Sequence, residues 1–415
     1  MEPRNLKRVL IHSIVFNPDG VSTAYLYNDI ALGLVNNGFD VVVLTTTPHY
    51  NLIESELLKQ PISKKLFGLY GLSDFNGIKV YHIPLKKYRS TILRLFSFVY
   101  WHLFSFLFGL TFRNLNFVLS PSPPLSIGFI SLLIAKIKGA KSVYNVQEIY
   151  PDLLINQGNL KSSLIINLLK KFEKFIYNNS AAVTTIDQVF FSQIKPRFLN
   201  SSKLHIIPNF VDTELYKPIE SSLILPPTFD KLNNKIKLLY AGNIGFFQDW
   251  EPILYAAKEL LNEEIEFWII GEGVQKQYLV NSVKEQGLTN IKIHPYQNRS
   301  YMPAINNFAD IHFIVINKEM EQEGFPSKVY TIMACAKPLI VVTGVKTPLF
   351  NFLFNQDCSE LIIEDRNKQF VKSIRKLASD KNLRMELGRN GFKHIQDSYS
   401  KEIVISKYVN LLNSL

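Results

Sequence analysis

The chain has 415 residues, 47 % hydrophobic and 20 % charged, which excludes a disordered chain and a single ordinary core and predicts about two domains. Two cysteines, Cys335 and Cys358, exclude a disulfide framework and fit a reducing cytosol. Of the net charge of +11, most lies in the first half: 22 Lys and Arg face 13 Asp and Glu through residue 214, against 24 and 22 afterwards. This excess predicts an anionic partner for the first half, namely nucleic acid, phospholipid or a phosphorylated substrate, with a solubilising surface as the alternative.

Short apolar runs that end in turn residues alternate with helical patterns through the first half. The predicted strands are RVLIHSIVF (8–16), FDVVVLTTT (39–47), IKVYHIP (78–84), FVLSPSPP (117–124), KSVYNVQ (141–147), AAVTTID (181–187) and KLHIIPN (203–209). The first run contains His12 and continues into NPDG, so a core strand fits it better than a signal peptide. Near-continuous apolar strands separated by helices predict a parallel sheet covered on both faces.

An aromatic segment without formal charge, LFSFVYWHLFSFLFGLTF, occupies residues 95–112. Basic residues flank it: Lys86, Lys87, Arg89 and Arg94 before it, and Arg113 after it. On a helix, Ser97, His102 and Ser105 fall on one side, which is therefore less apolar than the rest. A core helix and a membrane span are the alternatives to the interpretation that we favour, an interfacial helix that contacts a membrane surface through residues 86–113.

The alternation of strands and helices stops at residues 214–235, which are rich in proline and polar residues, and then resumes. We therefore predict an α/β protein with two doubly wound, Rossmann-like domains that face each other across a cleft. The predicted boundaries are 1–213 for the first domain, 214–235 for a linker, 236–395 for the second domain, and 396–415 for a C-terminal helix that packs back on the first domain.

Five blocks resemble family-4 glycosyltransferases, which have the two-domain GT-B fold. The blocks are NVQEIYPD (145–152), IIPNFVDTELYKP (206–218), LLYAGNIGFFQDWEPILYAAKEL (238–260), WIIGEGVQ (268–275) and EQEGFPSKVYTIMACAKPLIV (321–341). They follow the family order across nearly the whole chain. The first block is similar to a stretch found in the subset that builds cell-surface polysaccharides, such as L-fucosamine and colanic-acid transferases.

The resemblance implies a nucleotide-sugar site in the second domain. Its donor-binding positions would be Gly242, Asn243, Gly245, Gln248, Gly271, Glu272, Tyr296, Gly324, Phe325, Pro326, Ser327 and Thr331. Gly242 and Gly245 would let backbone amides approach a diphosphate, and Lys328, at a helix start, would hold its charge. Glu323 would accept hydrogen bonds from sugar hydroxyls. The alternatives are a plain β–α turn at the glycines, a solvated charged loop at 321–328, and core packing for Tyr296 and His294.

Three positions depart from the family pattern. Thr331 stands where many relatives carry a second glutamate, which contacts the ribose. Asn243 and Gln248 occupy the places of an arginine and a lysine, which makes Lys328 the expected phosphate partner. Gln147 replaces a histidine of the acceptor-side loop. Neither a dinucleotide-binding G-x-G-x-x-G nor a Walker motif is present.

On the acceptor side, Glu148 and Asp152 follow a predicted strand, where active-site groups of this architecture belong. Either carboxylate is a candidate to orient or deprotonate an acceptor hydroxyl, and turn capping is the alternative for Asp152. Gly20, in NPDG, would lie in a loop beneath the diphosphate, with a plain turn as its alternative. Asn209 and Asp212 are expected to fix the exit from the first domain.

The resemblance thus implies a retaining glycosyltransferase that needs neither a metal nor another cofactor. Its expected partners are a UDP- or GDP-linked sugar donor, a polyprenyl-diphosphate-linked sugar acceptor and a membrane surface, with no nucleic acid. The expected place is the cytoplasm, at the inner face of the cell membrane, in O-antigen, capsule or exopolysaccharide synthesis. The alternatives are a nucleotide-sugar 2-epimerase of the same architecture and a non-catalytic membrane adaptor that keeps the fold.

Overall fold

The computed structural model of the chain describes residues 6–52, 54–86, 88, 90–156, 158, 160–219, 223–229, 233–321 and 325–415. The chain divides into two units. The first consists of Met1–Asn209 and Val404–Leu415, and the second of Phe210–Ile403. Each unit is built on a sheet of its own, as the two series of apolar runs predict.

The first unit contains a nine-stranded sheet. Its strands are β1 (Arg8–His12), β2 (Asp40–Thr46), β3 (Ser63–Lys65), β4 (Tyr70–Phe75), β5 (Ile78–Ile83), β6 (Leu115–Ser122), β7 (Lys141–Val146), β8 (Ala182–Thr185) and β9 (Leu204–Ile206). They lie in the order β3-β4-β5-β2-β1-β6-β7-β8-β9. The seven predicted strands are all present and pair in parallel, and the central ones are buried because both faces are covered by helices.

Strands β3 and β4 were not predicted, and they extend one edge of the sheet as an antiparallel hairpin. β3 is the exposed sequence SKK, and in β4, YGLSDF, the buried residues Gly71 and Ser73 alternate with half-buried ones before the exposed Asp74. β3 has only three residues, and β4 contains Gly71, Ser73 and Asp74, so neither shows the continuous apolar pattern of a buried parallel strand.

The described α-helices that precede Asn209 in the first unit accompany this sheet. They are α1 (Ser22–Asn36), α2 (Glu54–Lys59), α3 (Thr91–Gly109), α4 (Leu125–Lys138), α5 (Asp152–Asn156), α6 (Ser163–Asn179) and α7 (Gln188–Ile194). α4 contacts both α3 and α6: an added Cβ on Gly109 of α3 would lie 2.4 Å from Ile134, and the Phe129 and Phe172 rings are 5.2 Å apart. The three helices therefore form a layer with α4 in the middle.

The second unit contains a six-stranded, all-parallel sheet, as predicted. Its strands are β10 (Ile236–Ala241), β11 (Ile265–Ile270), β12 (Ile291–His294), β13 (Ile311–Val315), β14 (Leu339–Val342) and β15 (Ser359–Ile362), in the order β12-β11-β10-β13-β14-β15. Its helices are α8 (Glu251–Glu259), α9 (Lys276–Glu285), α10 (Met302–Phe308), α11 (Lys328–Ala334), α12 (Pro348–Leu353), α13 (Arg366–Ser379) and α14 (Lys381–Ser398).

The described part of the predicted linker lies against the second sheet. Leu223, Leu225 and Phe229 pack on the buried cluster that includes Trp268 of β11. The apolar residues in this proline-rich stretch therefore help to cover one face of the second unit.

The last helix, α15 (Lys401–Ser414), begins later than the predicted residue 396, which lies within α14. The chain turns at Ser400, which forms a bridge with Val211, and the Lys401 amide donates to the Val211 carbonyl at 2.9 Å. Because the Lys401 amide is bonded to Val211, it cannot donate to a carbonyl of α14, and α14 and α15 are separate helices. From Val404 onward the chain belongs to the first unit, where Tyr408 is buried and Ile405 packs closely on Gly33 of α1.

Candidate active site

The loops that follow β10 and β11 are joined backbone to backbone at the carboxyl edge of the second sheet. The Gly242 amide donates to the Ile270 carbonyl at 2.9 Å, and the Ile244 amide donates to the Glu272 carbonyl at 2.8 Å. A Cβ on Gly271 would lie 1.8 Å from the Gly242 carbonyl oxygen, so no side chain fits there without separating the loops. Gly271, and Gly273, whose Cβ would lie 2.2 Å from the Ile244 carbonyl oxygen, are therefore required by close backbone approach.

Lys328, the first residue of α11, extends its ammonium group to this glycine loop. Its Nζ lies 3.6 Å from the centre of the Tyr240 ring, and a Cβ on Gly242 would lie 2.5 Å from that Nζ. The side chain is partly buried, and desolvation lowers the pKa of Lys328 to about 7. Tyr240 is fixed in turn, because its hydroxyl donates to the Asn243 carbonyl at 2.6 Å. The electron-rich ring face is the main stabilising contact that we find for this cation.

Within the described residues, no carboxylate lies within ion-pair distance of Lys328 Nζ, and desolvation alone accounts for its lowered pKa. A desolvated cation without a counter-ion is costly, and natural proteins usually pair such groups. An anion bound beside Gly242 would provide the missing charge and would also meet the loop backbone. The geometry thus favours a phosphate-binding site at this position.

The loop before α11 is anchored at both described ends. Arg366 of α13 forms an ion pair with Glu321 and donates to the Ile316 carbonyl at 2.7 Å. At the other end of the loop, the half-buried Phe325 ring contacts Tyr330 and Phe352. Glu323 and Gly324 lie outside the described residues, so their predicted roles have no structural account. The Arg366 and Tyr240 contacts were missed by sequence reasoning, because neither residue belongs to a recognisable motif.

The other residues predicted around α11 have less specific surroundings. Thr331 lies one turn into α11, and its hydroxyl donates to the Lys328 carbonyl at 2.9 Å. Pro326 is half-buried and Ser327 is exposed at the start of the helix. α11 itself has seven residues, so the lysine and the glycine loop, more than the helix dipole, define the charge at this site.

Gln248 is buried, and its amide donates to the Gly245 carbonyl of the glycine loop at 3.3 Å. Its backbone pairs with Ile316, and its Oε1 has no hydrogen-bond partner among the described residues. It lines a cavity of about 230 Å³ together with Trp250, Asn317 and others, whereas Lys328 and Gly242 are not among the lining residues. The predicted role of Gln248 in donor binding stays a prediction.

The residues at the ends of β11 and β12 differ in exposure. Tyr296 is exposed, and Glu272 forms a surface ion pair with Lys276 at 2.6 Å. His294 stacks on Trp268, with ring centres 4.8 Å apart, and also contacts Phe229. Of the two alternatives, core packing describes His294, while Tyr296 is accessible to a ligand.

In the first unit, Glu148 follows β7 in a loop that Ser122 holds. The Ser122 hydroxyl donates to the Glu148 carbonyl at 2.8 Å and accepts from the Gln147 amide at 3.1 Å. Glu148 is exposed, yet the surrounding protein raises the pKa of its carboxyl by desolvation. A carboxylate with a raised pKa is better suited to act as a general base. The Gln147 and Asn209 side chains exchange two amide hydrogen bonds, at 3.0 and 2.9 Å.

Asp152 has a different environment, because its carboxylate forms an ion pair with Arg197 and accepts from Gln193 at 3.1 Å. Arg197 also pairs with Glu173 at 2.6 Å. This pairing favours a structural role for Asp152, and its predicted role in acceptor activation stays a prediction.

The predicted loop glycine, Gly20, lies in close backbone contact with the loop after β2. Its amide donates to the Tyr50 carbonyl at 2.9 Å, and a Cβ would lie 2.5 Å from the Asn51 carbonyl oxygen. The neighbouring Asp19 carboxylate accepts from the His49 and Tyr50 amides, both at 2.7 Å. Gly20 is therefore required for the contact between these two loops, and its predicted place beneath a diphosphate stays a prediction.

Helix α3 presents its apolar side to solvent and its polar side to the protein. Trp101, His102 and Ser105 are buried, whereas Phe96 and Leu103 are exposed, as are several other apolar residues of the helix. Of the stretch Ile92–Gly109, 22 % is buried, and by length and composition this helix could cross a membrane. A core helix would be mostly buried, so that alternative does not describe α3. Lys87 and Arg89 of the flanking basic group lie outside the described residues.

Among the described residues, no group of three or more His, Cys, Asp or Glu side chains is placed to hold a metal ion.

Residues 226–394 match the family model of glycosyl transferases group 1. The chain is 23 % identical over 356 residues to an Escherichia coli K12 protein named as a colanic acid biosynthesis glycosyl transferase, WcaI, covering 82 % of this chain and 84 % of that protein. It is 27 % identical over 235 residues to a Pseudomonas aeruginosa protein named as a glycosyltransferase, WbjE, covering 55 % and 58 %.

Two solved structures share the fold. Sucrose-phosphate synthase from Thermosynechococcus elongatus matches with a TM-score of 0.72 and 13 % identity over 98 % of both chains. Anabaena HepE in complex with UDP-glucose matches with a TM-score of 0.66 and 12 % identity, covering 98 % of this chain and 100 % of that one. At these identities the likeness shows the fold, which is GT-B.

Proposed function

We propose that this chain, whose residues 226–394 match the glycosyl transferases group 1 family model, is a glycosyltransferase. It would transfer a sugar, with retention of configuration, from a UDP- or GDP-linked donor to a polyprenyl-diphosphate-linked acceptor. The reaction would take place at the cytoplasmic face of the cell membrane during synthesis of a surface polysaccharide, such as O-antigen, capsule or exopolysaccharide. The name of the Escherichia coli relative supports the polysaccharide, the name of the Pseudomonas aeruginosa relative supports glycosyl transfer, and the HepE complex supports UDP as the nucleotide.

One observation carries the proposal: Lys328 is a desolvated cation beside a glycine loop, without a carboxylate partner in the described part of the chain. A nucleoside diphosphate is the anion that such a site fits, because it presents two phosphates to one ammonium and to backbone amides. The negative charge on the diphosphate grows as its bond to the sugar breaks. A preorganised cation therefore stabilises the transition state more than the bound donor.

In the proposed step, the bond between the anomeric carbon and the diphosphate oxygen breaks, and the acceptor hydroxyl oxygen bonds to that carbon from the same face. The proton of the hydroxyl passes to an oxygen of the leaving phosphate. Lys328 would hold this phosphate, and Glu323 would hold sugar hydroxyls, as the family resemblance implies. Glu148, with its raised pKa, is the first-unit carboxylate best suited to orient the acceptor.

The acceptor class rests on helix α3. Its exposed Phe96 and Leu103 and the basic residues around it would contact the membrane that carries a polyprenyl chain. An exposed apolar face of this size is unusual for a protein whose substrates are all water-soluble.

The test is a thermal-shift and calorimetric screen of UDP, GDP and their sugar conjugates, followed by transfer assays with a polyprenyl-diphosphate-linked sugar. We expect at least one nucleotide to raise the melting temperature of the wild type. Lys328→Ala should weaken that binding about 10- to 100-fold, because it removes a charge-assisted contact to phosphate. Lys318→Ala, which removes an exposed lysine nearby, is the matched control.

The proposal fails if Lys328→Ala binds and turns over the donor as the wild type does. It also fails if no nucleotide sugar binds the wild type. The anomeric coupling in the NMR spectrum of the product tests retention, and formation of an epimer from the donor alone would identify the epimerase alternative.

A further inference from the structure

Helix α6 also exposes apolar side chains, next to a group of lysines. Leu164, Leu168 and Phe175 are exposed, Leu164 at 75 % and Leu168 at 62 %. With 100° between successive residues, these three fall within about 40° of one another on the helix surface. We call these three, with the neighbouring Lys171, the α6 outer face. Lys174 lies at its border and Lys170 farther round the helix, and both are exposed.

The opposite side of α6 is fixed in the protein by a buried ionic cluster. Glu173 is fully buried, pairs with Arg197 at 2.6 Å and accepts from the Tyr177 hydroxyl at 2.9 Å. Because rotating the helix would expose or separate this pair, the leucines cannot turn inward to join the core. The apolar outer face is therefore a property of the folded unit.

The charge of this region has one sign at the surface. Between residues 153 and 186 the sequence contains four lysines, at 161, 170, 171 and 174, and one acidic residue, the buried Glu173. None of the four lysines has an ion-pair partner among the described residues. Exposed apolar side chains bordered by unpaired lysines match the chemistry of an anionic lipid surface, with acyl chains beneath charged headgroups.

Helices α3 and α6 lie in the same layer on one side of the first sheet. α4 contacts both, through Ile134 at Gly109 of α3 and through Phe129 at Phe172 of α6. The apolar side of α3 and the α6 outer face are thus separated by one helix, and Ile137 of α4 is itself exposed.

We propose that the α6 outer face is a second membrane-contact element, which binds an anionic phospholipid bilayer together with α3. This inference rests on the proposed function, since it extends the membrane contact of the acceptor-binding unit. A second copy of the chain fits the face less well, because a symmetric contact would oppose lysines to lysines without intervening carboxylates.

The experiment measures binding of the full chain to vesicles of phosphatidylcholine, with and without about one third phosphatidylglycerol. The apolar variant is Leu164→Ser with Leu168→Ser. Its matched control is Ile224→Ser with Met385→Ser, which changes two apolar residues of the second unit with similar exposure, 79 % and 62 %. The charge variant is Lys170→Gln with Lys171→Gln and Lys174→Gln.

We expect the apolar variant to bind anionic vesicles at least about tenfold more weakly than the wild type. The control should bind as the wild type does. The charge variant should lose about fivefold per lysine on anionic vesicles and nothing on neutral ones, with a weaker dependence on salt. Unchanged binding of the apolar variant, with α3 intact, would overturn the proposal.

Two further readouts separate this inference from the proposed function. Nucleotide binding by thermal shift should be the same in the α6 variants and the wild type. If no nucleotide binds while vesicle binding still depends on α6, the proposed function fails and the membrane inference stands. A lipid-free wild-type dimer that becomes monomeric in the apolar variant would instead identify the α6 outer face as an interface between copies, and would overturn the proposal.

Discussion

Two desolvated cations, one in each unit, differ in how their charge is satisfied. Arg197 lies between the carboxylates of Glu173 and Asp152; burial alone would lower the pKa of its guanidinium, but these carboxylates raise it. Lys328 has an aromatic ring and a glycine loop beside it, and desolvation lowers its pKa to about 7. A cation that the protein pairs internally stabilises the fold, whereas a cation left unpaired is available to a ligand.

The largest effect that this comparison predicts is on stability, for Arg197→Met. The change leaves Glu173 buried without a counter-charge, so the free energy of unfolding should fall by about 3–5 kcal/mol. Chemical denaturation followed by circular dichroism measures it. Arg375→Met, which breaks an exposed pair with Glu263, should cost at most about 1 kcal/mol. Equal losses in the two variants would mean that pairing does not distinguish the Arg197 cluster.

Gly271→Ala tests the glycine loop that supports Lys328. Its Cβ would overlap the Gly242 carbonyl oxygen, so the loops must separate, at about 1–3 kcal/mol of stability. Gly287→Ala is the control: it too has a positive φ, +61°, but its Cβ would meet nothing within 4 Å. Both variants should have a lower melting temperature than the wild type. Only Gly271→Ala should lose the increase in melting temperature that the nucleotide causes. Normal nucleotide binding by that variant would contradict the site.

A smaller effect is expected from pH, and its sign follows from the lowered pKa of Lys328. In the free protein this lysine loses its proton as pH rises through about 7, whereas a bound diphosphate favours the charged form. Nucleotide affinity should therefore fall on the order of tenfold between pH 7 and 8.5. Calorimetry at several pH values measures the change. Lys328→Met should bind weakly with little dependence on pH, and Lys328→Arg, which stays charged, should also show a flat profile.

The sequence was informative where a pattern is repeated and silent where a contact is formed by distant residues. Continuous apolar runs predicted both parallel sheets, because such strands must be buried on both faces. Polar β3 and β4 gave no such signal. The ion pairs of Arg197 and Arg366 were not predictable, since each partner looks like a surface charge until the fold brings the two together. Lys328 was predictable from its motif, but its contact with Tyr240 required the register of α11 against β10.

The orientation of α3 was likewise not predictable from its sequence alone. Sequence periodicity placed Ser97, His102 and Ser105 on one side, but could not tell which side faces the protein. The structure buries His102 and Ser105 and leaves apolar residues outside, the reverse of an ordinary surface helix. The α6 outer face was not noticed in the sequence, because its leucines share a continuous apolar pattern with the buried residues of the same helix.

The most direct test of the account is the number of protons taken up when the nucleotide binds. Calorimetric titrations near pH 8, in buffers of different ionisation enthalpy, measure that number. Since Lys328 is mostly neutral there in the free protein and charged in the complex, the wild type should take up close to one proton and Lys328→Met close to none. No uptake by the wild type, or equal uptake by both proteins, would contradict the claim that the bound diphosphate supplies the counter-charge of Lys328.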